Sequence, residues 1–157
     1  MGETARVLIV DDDENIRKVL TAILEDEGYF VESVGSGKSA IAKTRKEFYN
    51  LALIDIRLPD MEGIELLTRM KDTTPKMRKI VITGYPTLQN AVEAVNRGAD
   101  AYVIKPFDVK KVLKTIKEEL TKQQEDERYS QEKVAEFIEA RVRELEVEKK
   151  LTHKRKS

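Results

Sequence analysis

The chain contains no cysteine, which excludes disulfides, thiolate metal sites and thiol nucleophiles. Histidine occurs once, at His153, so neither a Ser-His-Asp triad nor a multi-histidine metal centre has its material. Net charge is absent as well. The 157 residues carry 29 Lys and Arg against 29 Asp and Glu, which removes the electrostatic footprint of a general nucleic-acid binder. No apolar run approaches the roughly 20 residues needed to span a bilayer. The start, MGETARVLIVDDD, has no signal-peptide layout, because its short apolar stretch runs straight into acid. Met1-Gly2 followed by Arg6 in place of Ser or Thr also fails the myristoylation pattern. The expectation is a soluble, cytoplasmic protein with no membrane contact and no direct nucleic-acid binding.

What is present is alternation. Short Val- and Ile-rich runs occur at Val7-Leu8-Ile9-Val10, Phe30-Val31, Leu51-Ala52-Leu53-Ile54, Ile80-Val81-Ile82 and Tyr102-Val103-Ile104. Each is bounded by turn residues or charge and reads as a buried strand. The second is only half apolar and fits an edge. Between them lie segments of helical period. Ile16, Val19, Leu20, Ile23 and Leu24 form one stripe, closed by Gly28. Ala40, Ile41 and Thr44 follow the turn Gly35-Ser36-Gly37. Ile64, Leu67 and Met70 stop before Pro75. Leu88, Ala91, Val92 and Val95 end at Gly98. A fifth helix starts after Pro106 with Asp108 as N-cap, and Val109, Leu113, Ile116 and Leu120 are expected to face the sheet. Five β-α units in strict alternation predict an α/β fold with an open, doubly wound parallel sheet covered on both faces. Beyond about Thr121 roughly half the residues are charged and no Pro or Gly occurs. The organisation is therefore a domain over 1–120 and a charged helical extension over 121–157, frayed from Thr152 to Ser157.

In an open parallel sheet, ligands bind outside the carboxyl ends of the strands. Strand one ends in Asp11-Asp12-Asp13, strand three in Asp55, strand four in Thr83-Gly84 and strand five in Lys105-Pro106. Crowded carboxylates repel unless a cation joins them, and Lys105 alone does not balance the charge. A divalent cation with oxygen preference does, and Mg2+ suits a site without His or Cys. With metal and lysine in place, a carboxylate can attack phosphorus while a Thr hydroxyl binds a phosphoryl oxygen. Singly, each residue has a plainer reading: Asp13 as the cap of a helix start, Asp55 as a solvated loop carboxylate, Lys105-Pro106 as a turn. Their coincidence at one sheet edge favours phosphoryl transfer to Asp.

The stretches Val10-Asp11-Asp12-Asp13-Glu14-Asn15, Ile54-Asp55-Ile56-Arg57-Leu58-Pro59-Asp60-Met61-Glu62-Gly63, Ile82-Thr83-Gly84-Tyr85 and Tyr102-Val103-Ile104-Lys105-Pro106-Phe107 resemble the signatures of response-regulator receiver domains. The resemblance covers about Arg6 to Leu120. Its subtype is most similar to receivers of nitrogen-regulation-type activators. It implies a flavodoxin-like strand order 2-1-3-4-5 and a phosphoacceptor role for Asp55. It further implies Mg2+, replaceable by Mn2+, ligated directly by Asp12, directly or through water by Asp11, and by Asp55 and the backbone carbonyl of Arg57. Thr83 and Lys105 would contact the phosphoryl group, and Tyr102 would be the aromatic switch, with a core aromatic as its plainer reading. Pro106 matches a position associated with a cis peptide. The implied partners are a sensor histidine kinase and a downstream protein target, and the resemblance implies a phosphoacceptor with self-catalysed phosphorylation and dephosphorylation in place of an enzyme.

Rival readings are weaker. Asp11-x-Asp13 fits the nucleophile spacing of haloacid-dehalogenase-type phosphatases, but the late Lys105-Pro106 does not fit that family. An FMN carrier would have its cofactor phosphate repelled by the triple acid. A pseudo-receiver would not need the full acid, Thr and Lys set. The extension holds no recognisable output module, so the chain reads either as a stand-alone receiver or as one cut from a longer regulator. Its stripe Val134, Ile138, Val142 and Leu145, with Phe137 and Leu151 at the edges, predicts a homodimer through the C-terminal helix. The face of helix 4, strand 5 and helix 5 is the second candidate surface.

Overall fold

A computed structural model describes the backbone of residues 4–156 and the side chains of residues 4–153. Strands and helices alternate as the hydrophobic pattern requires: β1 (Arg6–Val10), α1 (Glu14–Asp26), β2 (Phe30–Val34), α2 (Gly37–Lys46), β3 (Leu51–Asp55), α3 (Gly63–Arg69), β4 (Arg78–Thr83), α4 (Leu88–Asn96), β5 (Ala101–Ile104) and α5 (Val109–Lys156). The sheet has five strands in the order β2-β1-β3-β4-β5, and every pairing is parallel. The half-apolar β2 takes an edge, with Phe30 exposed. Met1 and Gly2 lie outside the described residues.

The two-residue period of the strands divides the core between two faces. Leu8, Val10, Ala52, Ile54 and Val81 pack with Ala40, Ile41, Ile64, Leu67 and Ala94 from α2, α3 and α4. Val7, Ile9, Leu51, Leu53, Ile80, Ile82 and Val103 pack with Leu20 and Leu24 of α1 and Val112, Ile116 and Leu120 of α5. Each fully buried aliphatic side chain contributes about 1.5–3 kcal/mol, so the central strands carry most of the stability. Gly28 and Gly98 follow α1 and α4 with φ of +95° and +99°, the left-handed conformation that only glycine adopts without strain. Lys105–Pro106 is cis, and so is Thr74–Pro75, which no motif had marked.

Three expectations change. On α4 the stripe Leu88, Val92 and Val95 faces outward, with Leu88 83% exposed, and the helix packs through Ala94 instead. On α5, the Asp108 cap is present, with the Lys110 N–H donating to its carboxylate at 2.9 Å, but Val109 is exposed and the buried row begins at Val112. That row then continues through two polar residues, Glu119 and Gln123. Gln123 lies inside the stretch expected to belong to the charged extension, beyond the domain. Its amide donates to the carbonyls of Asn50 (2.9 Å) and Lys76 (2.8 Å) and accepts from Asn50 Nδ2 (3.1 Å), so burial leaves nothing unpaired.

The chain divides into two compact units, Met1–Gln123 and Gln124–Ser157. The second is helical to Lys156, so the fray expected from Thr152 does not appear before that residue, and Ser157 lies outside the described residues. The Thr152 hydroxyl bonds back to the Glu148 carbonyl, and Arg143 pairs with Glu139 one turn earlier. Val134, Ile138, Val142 and Leu145 are all exposed on it.

At the amino end of the sheet, Glu32 accepts from Lys43 Nζ (2.8 Å) and the Tyr49 hydroxyl (2.7 Å) and pairs with Arg6 (3.4 Å). The Lys43 and Tyr49 hydrogen bonds, in that order, pull its carboxyl down from 4.5 to about 2. A carboxyl lowered by folding stabilises the fold above its unfolded pKa and loses that contribution as pH falls through the folded one. The stability gap between the wild type and Glu32→Gln should therefore be constant above pH 4.5 and shrink between pH 4.5 and about 2. Urea unfolding across that range checks it.

Candidate phosphoacceptor site

The sheet order sets where chemistry can gather. From β1 the chain goes out to β2 on one side and crosses back to β3 on the other, so the carboxyl ends of β1 and β3 flank the switch point. Asp11 and Asp12 follow β1 directly, and Asp55 is the last residue of β3. Thr83 ends β4, and Lys105 follows β5. Parallel pairing puts all of them at one edge.

Lys105 Nζ lies 3.1 Å from Asp11 Oδ2 and 3.3 Å from Asp55 Oδ2. One ammonium thus joins carboxylates that sit 44 positions apart in sequence. Burial alone would lower the Lys105 pKa, but the charges and hydrogen bonds of Asp11 and then Asp55 outweigh it and raise the value. Asp11 is only 4% exposed, and burial pushes its carboxyl up against the opposing pull of the Asp13 N–H and Lys105. Asp12 is exposed. Oxygens of Asp11, Asp12 and Asp55 lie within 4.8 Å of one another, the one such cluster among the described residues. Three carboxylates against one ammonium leave excess negative charge, and an all-oxygen donor set suits a hard divalent cation.

The third aspartate of the run has another task. Asp13 Oδ1 accepts the N–H groups of Asn15 (2.9 Å) and Ile16 (3.3 Å) and so caps α1. This removes it from the acid position that a phosphatase reading of Asp11-x-Asp13 would give it. Arg57 directs its N–H to Asp55 Oδ1 at 3.2 Å, and its guanidinium stacks 3.6 Å over the Tyr85 ring. Thr83 is fully buried, and its hydroxyl accepts the Tyr85 N–H at 2.9 Å instead of touching the carboxylates. Beside it, the Tyr102 hydroxyl is buried without a hydrogen-bond partner. Burial raises the Tyr102 phenol above its ordinary value, and the neighbouring Thr83 hydroxyl pulls weakly the other way. Gly63 is required here, because a Cβ would collide with the Asp55 carbonyl. The Arg57–Tyr85 stack was not foreseen, since nothing in either residue alone marks a pair formed between two loops.

The profile of the response regulator receiver domain matches residues 7–117. The chain belongs to that family. The match favours the receiver over the phosphatase reading and agrees with the sheet order. The receiver is 39% identical over 119 residues to the transcriptional regulatory protein ZraR of Klebsiella oxytoca, covering 76% of this chain and 27% of ZraR. It is similar in structure to a CheY-like receiver domain protein from Methanospirillum hungatei JF-1, with a TM-score of 0.76, 48% identity, and coverage of 79% of this chain and 99% of that one. It is also similar to the beryllofluoride-activated NtrC4 receiver domain dimer, with a TM-score of 0.70, 36% identity, and coverage of 75% and 98%. These relatives agree with a nitrogen-regulation-like subtype. The chain spans about a quarter of the length of the ZraR relatives it matches. Receivers are phosphoacceptors of two-component signalling rather than enzymes in the usual sense, and they bind Mg2+ at an acidic site.

The split within the acidic run is measurable. Asp13→Ala should cost about 1 kcal/mol of stability through the lost cap and leave Mg2+ affinity unchanged. Asp12→Ala should do the reverse. Urea unfolding and titration calorimetry of both variants check the assignment.

Proposed function

We propose that Asp55 of this receiver accepts a phosphoryl group from a sensor histidine kinase in the cytoplasm and that the change alters a surface bound by a downstream protein. The observation that supports it most is Lys105 Nζ held between Asp11 and Asp55 at the switch point of the sheet. Asp11, Asp12, Asp55 and the Arg57 carbonyl would hold Mg2+, and Mn2+ would substitute. When bound, the ion supplies positive charge that screens the carboxylates and the incoming phosphoryl oxygens.

The chain's own residues do the rest. A carboxylate oxygen of Asp55 attacks phosphorus, the bond to the donor's leaving atom breaks, and its electron pair departs with the donor. Lys105 moves from a carboxylate partner to a phosphoryl oxygen. No further catalyst is needed, so a small phosphodonor should serve in place of the kinase, and hydrolysis should proceed on the protein unaided. Thr83 turns its hydroxyl from the Tyr85 N–H toward the phosphoryl group. Tyr102 follows into the vacated space, and its unpaired phenol, costly where it lies, favours that movement.

Incubation with acetyl phosphate and Mg2+ should add one phosphate to the wild type and none to Asp55→Asn, read by intact mass. Equal labelling of the two, or labelling undiminished by a chelator, would refute the assignment.

The exposed stripe Val134, Ile138, Val142 and Leu145 supports a homodimer through the second unit, because an isolated amphipathic helix is marginal in water. The outward apolar row of α4, with exposed Ile104 on β5, supports a second dimer surface at α4, β5 and α5. The balanced charge gives no support to direct binding of nucleic acid. Light scattering of the full chain should give a dimer at tens of micromolar. Ile138→Asp with Leu145→Asp should give a monomer if the helix carries the contact.

A further inference from the structure

The loop that follows Asp55 is fastened to a helix other than the one it leads into. The Asp60 carboxylate accepts the backbone N–H groups of Gly37 and Lys38, each at 2.9 Å, in the first turn of α2. These two bonds, Lys38 first, hold its carboxyl below the usual carboxylate range. The helix already has a local cap, since Ser36 Oγ accepts the Ser39 N–H at 3.2 Å. Asp60 is therefore a second tie, reaching back from more than 20 positions later in the chain. Next to it, Met61 lies over Gly37 so closely that a Cβ there would collide with the Met61 sulfur. The far end of the loop is fixed too. The Gly63 N–H donates to the Ile56 carbonyl at 2.7 Å, and Arg57 and Glu62 form an antiparallel bridge. Arg57 sits inside this closed loop, one residue beyond Ile56.

We propose that Asp60 is a positioning residue of the acceptor site, which clamps the β3–α3 loop onto the N-terminus of α2 and so holds the Arg57 carbonyl in place for the cation. The inference rests on the reading of Asp11, Asp12, Asp55 and the Arg57 carbonyl as the Mg2+ ligands. A backbone ligand on a free loop must be ordered when the ion binds, and that entropy is subtracted from the affinity. A loop tied at its base by Gly63 and at its apex by Asp60 is ordered beforehand. The tie is strengthened by charge, because a carboxylate faces the positive end of α2.

Ser36→Ala provides the control that separates positioning from capping, since it removes a hydrogen bond from the same helix end and leaves the loop tied. Titration calorimetry with Mg2+ on the full chain compares the wild type, Ser36→Ala, Asp60→Asn and Asp60→Ala, at a temperature where circular dichroism shows each folded. Asp60→Ala should bind Mg2+ roughly tenfold more weakly, the scale expected for losing a group that orients a metal ligand. Asp60→Asn, which keeps one acceptor oxygen, should fall between, and Ser36→Ala should match the wild type in affinity while melting lower. If Asp60→Ala melts lower but binds Mg2+ as the wild type does, Asp60 is only a cap and the inference is overturned. If Asp60→Ala does not fold, Asp60→Asn against Ser36→Ala decides, and equal affinities overturn it. Failure of the wild type itself to bind Mg2+ would overturn the ligand reading beneath it instead.

Discussion

The ammonium of Lys105 between the carboxylates of Asp11 and Asp55 is the contact around which the structure is organised. Like charges this close are tolerated only where something opposes them and the backbone prevents them from moving apart. The parallel pairing of β1 with β3, β3 with β4 and β4 with β5 supplies that restraint. The apolar rows of those strands, buried on both faces, keep the strand ends in register at a cost no surface loop could sustain. The site is therefore strained electrostatically and rigid mechanically, a combination suited to taking up a cation and a phosphoryl group.

The two ends of the sheet handle polar groups differently. At the amino end, Arg78 meets Glu119 at 2.7 Å, and Gln123 uses its amide fully between Asn50 and Lys76. Glu32 is satisfied by Lys43 and Tyr49. These buried groups are paired and hold the fold. At the carboxyl end, charge is left over among Asp11, Asp12 and Asp55, and the Tyr102 phenol has no partner. The cation and phosphoryl group proposed for this site would complete that pairing.

The acidic cluster and its lysine were legible in the sequence because each follows an apolar run that can only be a buried strand. Their meeting follows from parallel strands having their carboxyl ends together. Asp13 was legible as a cap for the same local reason. The outward stripe of α4 was not. Leu88, Val92 and Val95 carry the period of a buried face, yet the helix rests on the small Ala94, and periodicity cannot say which side of a helix meets the sheet. Gln123 was hidden because a buried amide needs partners from Asn50 and Lys76, and no local pattern predicts those.

The sequence by itself determined the fold class, the number and order of the strands and which charged residues stand at their carboxyl ends, since hydrophobic period and strand-end position are local properties. Tertiary structure alone decided that Asp60 ties the loop after Asp55 to α2, that Arg57 stacks on Tyr85, and that the Tyr102 hydroxyl is left unpaired. Each of these depends on the distance between separate elements, and that distance is fixed only when the helices have packed on the sheet.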